Sequence, residues 1–269
     1  MLVPISSPDD PRIAPFRGVK ERDLIREQGR FIVEGQVTLA KLGARFPVES
    51  LFLAESRVEP MAGMLAKLDP GVPVYVATQA VMDAITGFHI HRGVLALARR
   101  GEELTVEGLI AGFDRAQKLT LLTLITLANH DNVGACFRNA AALGADAVLL
   151  DEASCDPLYR KSIRVSAGTA LSLPFARSGD GASVLSALEA AGVECWALTP
   201  SGGEGLQQLE PPQQLALILG AEGPGLPEGL MARCRRVSIP MTPGMDSLNV
   251  ATAGAIALAH VFARRASAS

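Results

Sequence analysis

Three stretches of the chain combine polar side chains with glycine in a way that packing alone does not require. The first, NHDNVGACFRNAAALGA at 129–145, sets Asn132 and Arg138 six residues apart in a helical pattern, with Asn132 placed as a cap and Gly144 placed to end the helix. An arginine among Ala, Cys and Phe is costly to bury without an acceptor, so Arg138 calls for an anion, either a carboxylate in a structural ion pair or a ligand. The second stretch, GAEGPGL at 220–226, follows an apolar run and carries the carboxylate Glu222. Its glycines permit positive φ or a close backbone approach to a ligand. It has no G-K-[ST] and no G-x-G-x-x-G with a later ribose-binding acid, and taken alone it reads better as an ordinary tight turn. In the third, IPMTPGMDSLNV at 239–250, a Pro- and Gly-containing loop precedes Ser247, Leu248 and Asn249, and Asp246 or Ser247 reads as a helix cap.

The surrounding pattern supplies elements to hold these stretches. Runs at 31–33, 48–54, 74–77 and 94–99 predict strands, with helices over about 36–44, 59–68 and 78–86. The polar, charge-mixed segment 99–118 predicts a linker or connecting helix. Beyond it, 119–127, 147–150, 193–198, 215–220 and 236–240 read as five strands separated by helical segments, hence a mostly parallel sheet covered on both faces. Ligands of such sheets sit beyond the carboxyl ends of the strands, which is where the loops after 127, 198, 220 and 240 fall. The division is therefore 1–104 as a small first domain with 1–20 as an extension, 105–118 as linker, and 119–269 as a second domain.

Composition bounds the function classes. The 269 residues are 48% hydrophobic and 20% charged, enough for a sizeable core, and no apolar run reaches the ~20 residues that span a bilayer, so a soluble protein without a membrane role is expected. The Pro- and Asp-containing N-terminus does not resemble a signal peptide. Cys136, Cys155, Cys195 and Cys234 are 19, 40 and 39 residues apart, which fits no metal knuckle or redox pair; buried thiols in a reducing cytoplasm are expected. His89, His91, His130 and His260 form no zinc spacing with acids, so no metal is expected. A net charge of −3 argues mildly against nucleic acid, yet basic residues cluster at Arg12–Arg30, at His91/Arg92 with Arg99/Arg100, at Arg160/Lys161/Arg164 and at Arg233/Arg235/Arg236. A solvated helix face is the plain reading of any one cluster.

Taken in order, N-x-G-x-x-x-R-N-A-A-x-x-G at 132–144, G-A-E-G-x-G-L at 220–226 and I-P-M-x-x-x-x-x-S-L-N-V-A at 239–251 resemble the three motifs of the SpoU/TrmH-type RNA ribose 2′-O-methyltransferases of the SPOUT superfamily, over roughly 119–265. FIVEGQVTLAKL, VESLFLA and HRGVLALARR in the first hundred residues look like the small substrate-binding domain, similar to ribosomal-protein RNA-binding folds, that precedes the catalytic domain in many members. The extra residues 1–20 and the acidity depart from that pattern.

The resemblance implies an α/β fold: a SPOUT-type parallel-sheet domain with a deep C-terminal trefoil knot, preceded by a small α/β RNA-binding domain. It implies S-adenosylmethionine as methyl donor, structured RNA (rRNA or tRNA, not DNA) as substrate, and a homodimer through the C-terminal domain. Arg138 would orient the ribose hydroxyl and neutralise phosphate, since guanidinium is not readily deprotonated in a protein. Asn132 would orient Arg138 or the ribose, Glu222 would pair with Arg138 or hold its own loop, and Ser247 and Asn249 would line the same pocket. Thr199, Leu219, Gly220, Glu222, Gly223, Ile239, Met241 and Leu248 are the implied donor contacts. Arg26, Arg30, Arg99 and Arg100 are candidate RNA contacts. Two other readings stay open: a catalytically silent RNA-binding protein of this fold, disfavoured by the joint presence of the five catalytic candidates, and an unrelated α/β nucleotide-using enzyme, disfavoured by the missing dinucleotide fingerprint.

Overall fold

A computed structural model describes residues 2–17, 24–25, 28–87, 90, 92–200 and 202–267, so Arg26, His89 and His91 lie outside the described residues. The chain divides into two compact units, Met1–Glu102 with Leu158–Ser172, and Glu103–Pro157 with Leu173–Ser269.

In the first unit the chain runs β1 (Leu2–Pro4), β2 (Arg30–Glu34), α1 (Gln36–Leu39), β3 (Val48–Ala54), α2 (Glu55–Val58), α3 (Ala62–Leu65), β4 (Val74–Ala77), α4 (Gln79–Thr86) and β5 (Val94–Arg99). The sheet order is β1-β4-β3-β5-β2, with β5 antiparallel to its neighbours β3 and β2, and the remaining pairs parallel. The carboxyl ends of β2, β3 and β4 therefore share one edge with the start of β5. The segment expected to be an extension is part of this fold: β1 pairs with β4, and Ile13 and Phe16 of the 3-10 helix Pro11–Phe16 are buried with Phe52, Met82 and Leu95. The helices expected over 36–44 and 59–68 shrink to short turns, whereas α4 has a full start and stop: the Thr78 hydroxyl accepts from Val81 N, and Gly87 closes the helix at φ 75.

The second unit begins with α5 (Val106–Ala111), inside the segment expected to be a linker. Val106, Leu109 and Ile110 are buried in the second unit's core, so this segment is a packed helix of that unit. It continues through β6 (Leu119–Leu124), α6 (His130–Ala142), β7 (Ala147–Leu150), then α7 (Arg160–Val165) in the stretch that clusters with the first unit, and β8 (Phe175–Arg177). There follow α8 (Gly181–Ala190), β9 (Glu194–Thr199), β10 (Glu204–Gly205), β11 (Gln214–Leu219), α9 (Glu228–Met231), β12 (Arg235–Ser238) and α10 (Val250–Ser267). The sheet is parallel throughout in the order β10-β12-β9-β11-β6-β7-β8, gaining the short strands β8 and β10 over the five expected. β6 and β11 are completely buried except for Gln214, as strands covered on both faces must be.

β6 stops three residues short of the expected 119–127 because Thr126 adopts φ 56. The buried Asp151 carboxylate accepts from Thr126 N at 2.9 and 3.0 Å and from its hydroxyl at 3.1 Å, and Ser154, itself held by Asp151, accepts from Leu127 N at 2.9 Å. These bonds hold a β-branched residue in a backbone region it otherwise avoids, and turn the chain from β6 toward α6.

Candidate active site

β9, β11 and β12 lie side by side, and the segments leaving their carboxyl ends surround a cavity of about 510 Å³. Thr199 ends β9 and Pro200 follows it, Leu219 ends β11 and Gly220 through Leu226 follow it, Ile239 and Met241 follow β12, and Ser247, Leu248, Asn249 and Val250 bring in the start of α10. Every residue expected to contact a donor, namely Thr199, Leu219, Gly220, Glu222, Gly223, Ile239, Met241 and Leu248, lines this one cavity. Leu198, Leu226, Met231, Val237 and Ala253 add apolar wall that motif reasoning did not single out.

The 220–226 loop folds back on itself. Gly225 N donates to Ala221 O at 3.0 Å, with Gly223 at φ 85 and Gly225 at φ 71. A Cβ at Gly220 would lie 2.4 Å from Leu226 N and 2.5 Å from Gly225 C, so this position must be glycine for the loop to close.

One hydrogen-bond chain joins the three polar stretches. Asn249 Nδ2 donates to Asn132 Oδ1 at 3.0 Å, and Asn132 Nδ2 donates to Glu222 Oε1. Asn249 Oδ1 meanwhile accepts from Ala251 N and Thr252 N, making Asn249 the cap of α10 in place of Asp246 or Ser247. α6 is likewise capped by Asn129, whose side chain accepts from Asp131 N and Asn132 N. Asn132 is thereby released from capping and sits buried in the first turn, both ends of its amide engaged. Gly144, at φ 70, does follow the last turn of α6.

Arg138 is not in this network. Six residues from Asn132 correspond to about 240° around a helix, which sends it to another face. It is exposed and makes no hydrogen bond or ion pair with any described residue. The expected Arg138–Glu222 pair is replaced by Asn132–Glu222, and it is Asn139, two turns on from Asn132, that ties α6 to α10 by donating to Ala251 O at 2.9 Å. Ser247 is exposed on the cavity rim. Cys136, on the inner face of α6, has its thiol pushed up to about 12 by burial, with the negative charge of Glu222 acting in the same direction.

The remaining expectations concern the first unit and the histidines. Arg30 and Arg99 meet across β2 and β5 at the amino end of β3, where both bind Glu49 at 2.8 and 2.6 Å. His260 lies on α10 with Nε2 2.8 Å from Leu209 O. Among the described residues no group of His, Cys, Asp and Glu could hold a metal ion, and no helix is long and apolar enough to cross a membrane. The Asp151–Ser154 clamp was not anticipated, although an acid at the carboxyl end of a parallel strand, next to a loop rich in polar residues, is the pattern that marks it.

A parallel α/β sheet with a cavity at its carboxyl edge, closed by a glycine loop and a helix start, defines the class of small-ligand α/β proteins. Residues 120–259 match the model of the SpoU rRNA methylase family, and the chain belongs to that family. Uncharacterized tRNA/rRNA methyltransferases of Mycobacterium bovis and Mycobacterium tuberculosis are 39% identical over 264 residues, covering 94% of this chain and 89% of theirs. Among solved structures, an AdoMet-bound rRNA methyltransferase from Sinorhizobium meliloti superposes with a TM-score of 0.84 at 23% identity, covering 98% of both chains. An RNA 2′-O ribose methyltransferase superposes with a TM-score of 0.80 at 26% identity, covering 98% of this chain and 100% of that one.

Proposed function

We propose that the protein transfers a methyl group from S-adenosylmethionine to a ribose 2′-hydroxyl of structured RNA, rRNA or tRNA. The observation that carries this is the Asn249–Asn132–Glu222 chain at the rim of the cavity, because it gathers the polar residue of each motif around one ligand-sized space. The cavity suits such a donor: its volume is within the ~300–1,000 Å³ of small-ligand sites, and glycine at 220 lets the loop that walls it close on itself. The backbone of Leu219, Gly220, Ile239, Met241 and Leu248 would hold the adenine and methionine portions, with Thr199 beside them. When bound, the donor supplies a methyl on a positively charged sulfonium.

The protein's part is positioning and charge stabilisation. Asn132, fixed at both ends, keeps Glu222 and the start of α10 in register, while Ser247 and Asn249 face the incoming ribose. Arg138 orients the hydroxyl and neutralises a neighbouring phosphate, and the proton leaves to phosphate or water. Because Arg138 projects away from its own chain's network, we place it at a second copy's site in a homodimer. Ile256 and Phe262, 39% and 51% exposed on α10, support such a contact. α10 packs closely on β11, where a Cβ at Gly254 would lie 2.9 Å from Leu219 Cδ1; the knotted C-terminus is proposed from the family alone. The test is calorimetry with S-adenosylmethionine together with mapping of ribose methylation in RNA from cells with and without the protein. Donor binding and a 2′-O-methyl mark lost only in the deletion are expected; no donor binding would refute the reading.

A further inference from the structure

The two ends of the first unit's sheet differ in how their arginines are paired. At the amino end of β3, Glu49 is 15% exposed and engages both Arg30 and Arg99, so two cations share one partly buried anion. At the carboxyl end of β2 and β3, two other arginines lie across backbone. Arg92 Cδ and Nη1 fall 2.8 and 3.0 Å from where a Cβ of Gly35 would be, and Arg57 Cγ falls 3.1 Å from that of Gly93. Both glycines have positive φ, at 90 and 58, so the backbone form and the missing side chain together make the bed in which each arginine stem rests.

The two beds adjoin, since Gly35 N donates to Val94 O and Ala54 N donates to Gly93 O on either side of β5. Ile90, two residues before Arg92, is itself anchored, with Asp83 accepting from Ile90 N at 3.1 Å and Gln79 Nε2 donating to Ile90 O at 3.2 Å. Arg57 and Arg92 are exposed and make no ion pair or hydrogen bond with any described residue; Glu55 and Glu59 flank Arg57 in sequence without pairing with it. Stems held by packing and heads left to solvent lose little further freedom on meeting an anion.

Resting on the RNA reading above, we propose that Arg57 and Arg92 form the phosphate-binding surface of the first unit and hold the backbone of the substrate RNA, in place of Arg30 and Arg99. The guanidinium forks match phosphate oxygens, and two such groups side by side suit successive phosphodiesters of one strand.

The full chain is titrated with protein-free ribosomal RNA and with bulk transfer RNA over a range of salt, comparing the wild type with Arg57→Gln/Arg92→Gln and Arg30→Gln/Arg99→Gln. Loss of two phosphate contacts is expected to make the log–log salt slope shallower by ~1.4–1.8 for the first pair and to leave it unchanged for the second. S-adenosylmethionine binding and the melting temperature, read on the same samples, confirm that the variants are folded. A wild-type slope retained in Arg57→Gln/Arg92→Gln overturns this surface alone. A wild type that binds neither RNA overturns the function from which it is drawn.

Discussion

Asn132 shows how one amide can organise a site. Its carbonyl and amino ends reach different segments, so it is oriented without ambiguity, and Glu222 is held by a neutral donor. Arg138 is then left out of the fold's own electrostatics. Arg138→Ala is expected to keep donor affinity and the melting temperature and to slow single-turnover methyl transfer by about 10²–10³-fold, the size of effect seen when a transition-state donor is deleted. Normal turnover would remove it from the mechanism. Cys136 gives a pH signature. Its thiol is raised in the folded protein to about 12 from an ordinary 9.0, so the unfolded chain releases this proton first. The stability contributed by the protonated thiol is complete below pH 9 and is lost as pH rises toward 12, at up to about 1.4 kcal/mol per pH unit. Urea melts of the wild type and Cys136→Ala between pH 8 and 10.5 are expected to converge as pH rises; parallel curves would contradict the burial argument.

Elements differ in how far local pattern determines them. β3, β4, β5 and β7 run between the very residues their hydrophobic runs predict, because their buried stretches are mostly apolar and the charged residues of β3 and β5, Glu49 and Arg99, fall near strand ends. β1, β8 and β10, at Leu2–Pro4, Phe175–Arg177 and Glu204–Gly205, are too short for a period and exist through their partners. The cavity residues were legible as three motifs, but which polar groups bond to which was not: the choice of Asn132 over Arg138 as partner of Glu222 depends on the phase of α6 against a loop 90 residues away. The glycine loop separates space from backbone freedom. Gly220→Ala puts a methyl onto Leu226 N and Gly225 C, and a loss of donor affinity of at least tenfold is expected by calorimetry. Gly223→Ala meets open space and bears only the strain of its φ of 85, about 1–2 kcal/mol, so its affinity is expected to stay closer to wild type. Equal losses would mean that the loop's contact with Gly220 is unimportant.

For the whole molecule, the proposed homodimer is the property most open to direct measurement. Light scattering is expected to give about twice the 28.2 kDa chain mass, and Phe262→Asp combined with Ile256→Asp to shift the mass toward one chain. If Arg138 serves the second copy, that shift is accompanied by loss of methyl transfer while donor binding persists. A monomeric wild type with full activity would refute both parts.

The chain passes between the two units at Glu102/Glu103, Pro157/Leu158 and Ser172/Leu173. The consequence is genetic. A gene fragment ending at residue 102 encodes the first unit without the fifteen residues 158–172 that cluster with it, and a fragment starting at 103 carries those residues with nothing to cluster against. The head of this protein therefore cannot be exchanged as a terminal cassette. A graft of the first unit onto a different second unit must also import the 158–172 excursion at an internal site, so exchange of the surface proposed to hold RNA requires two coordinated edits to the open reading frame.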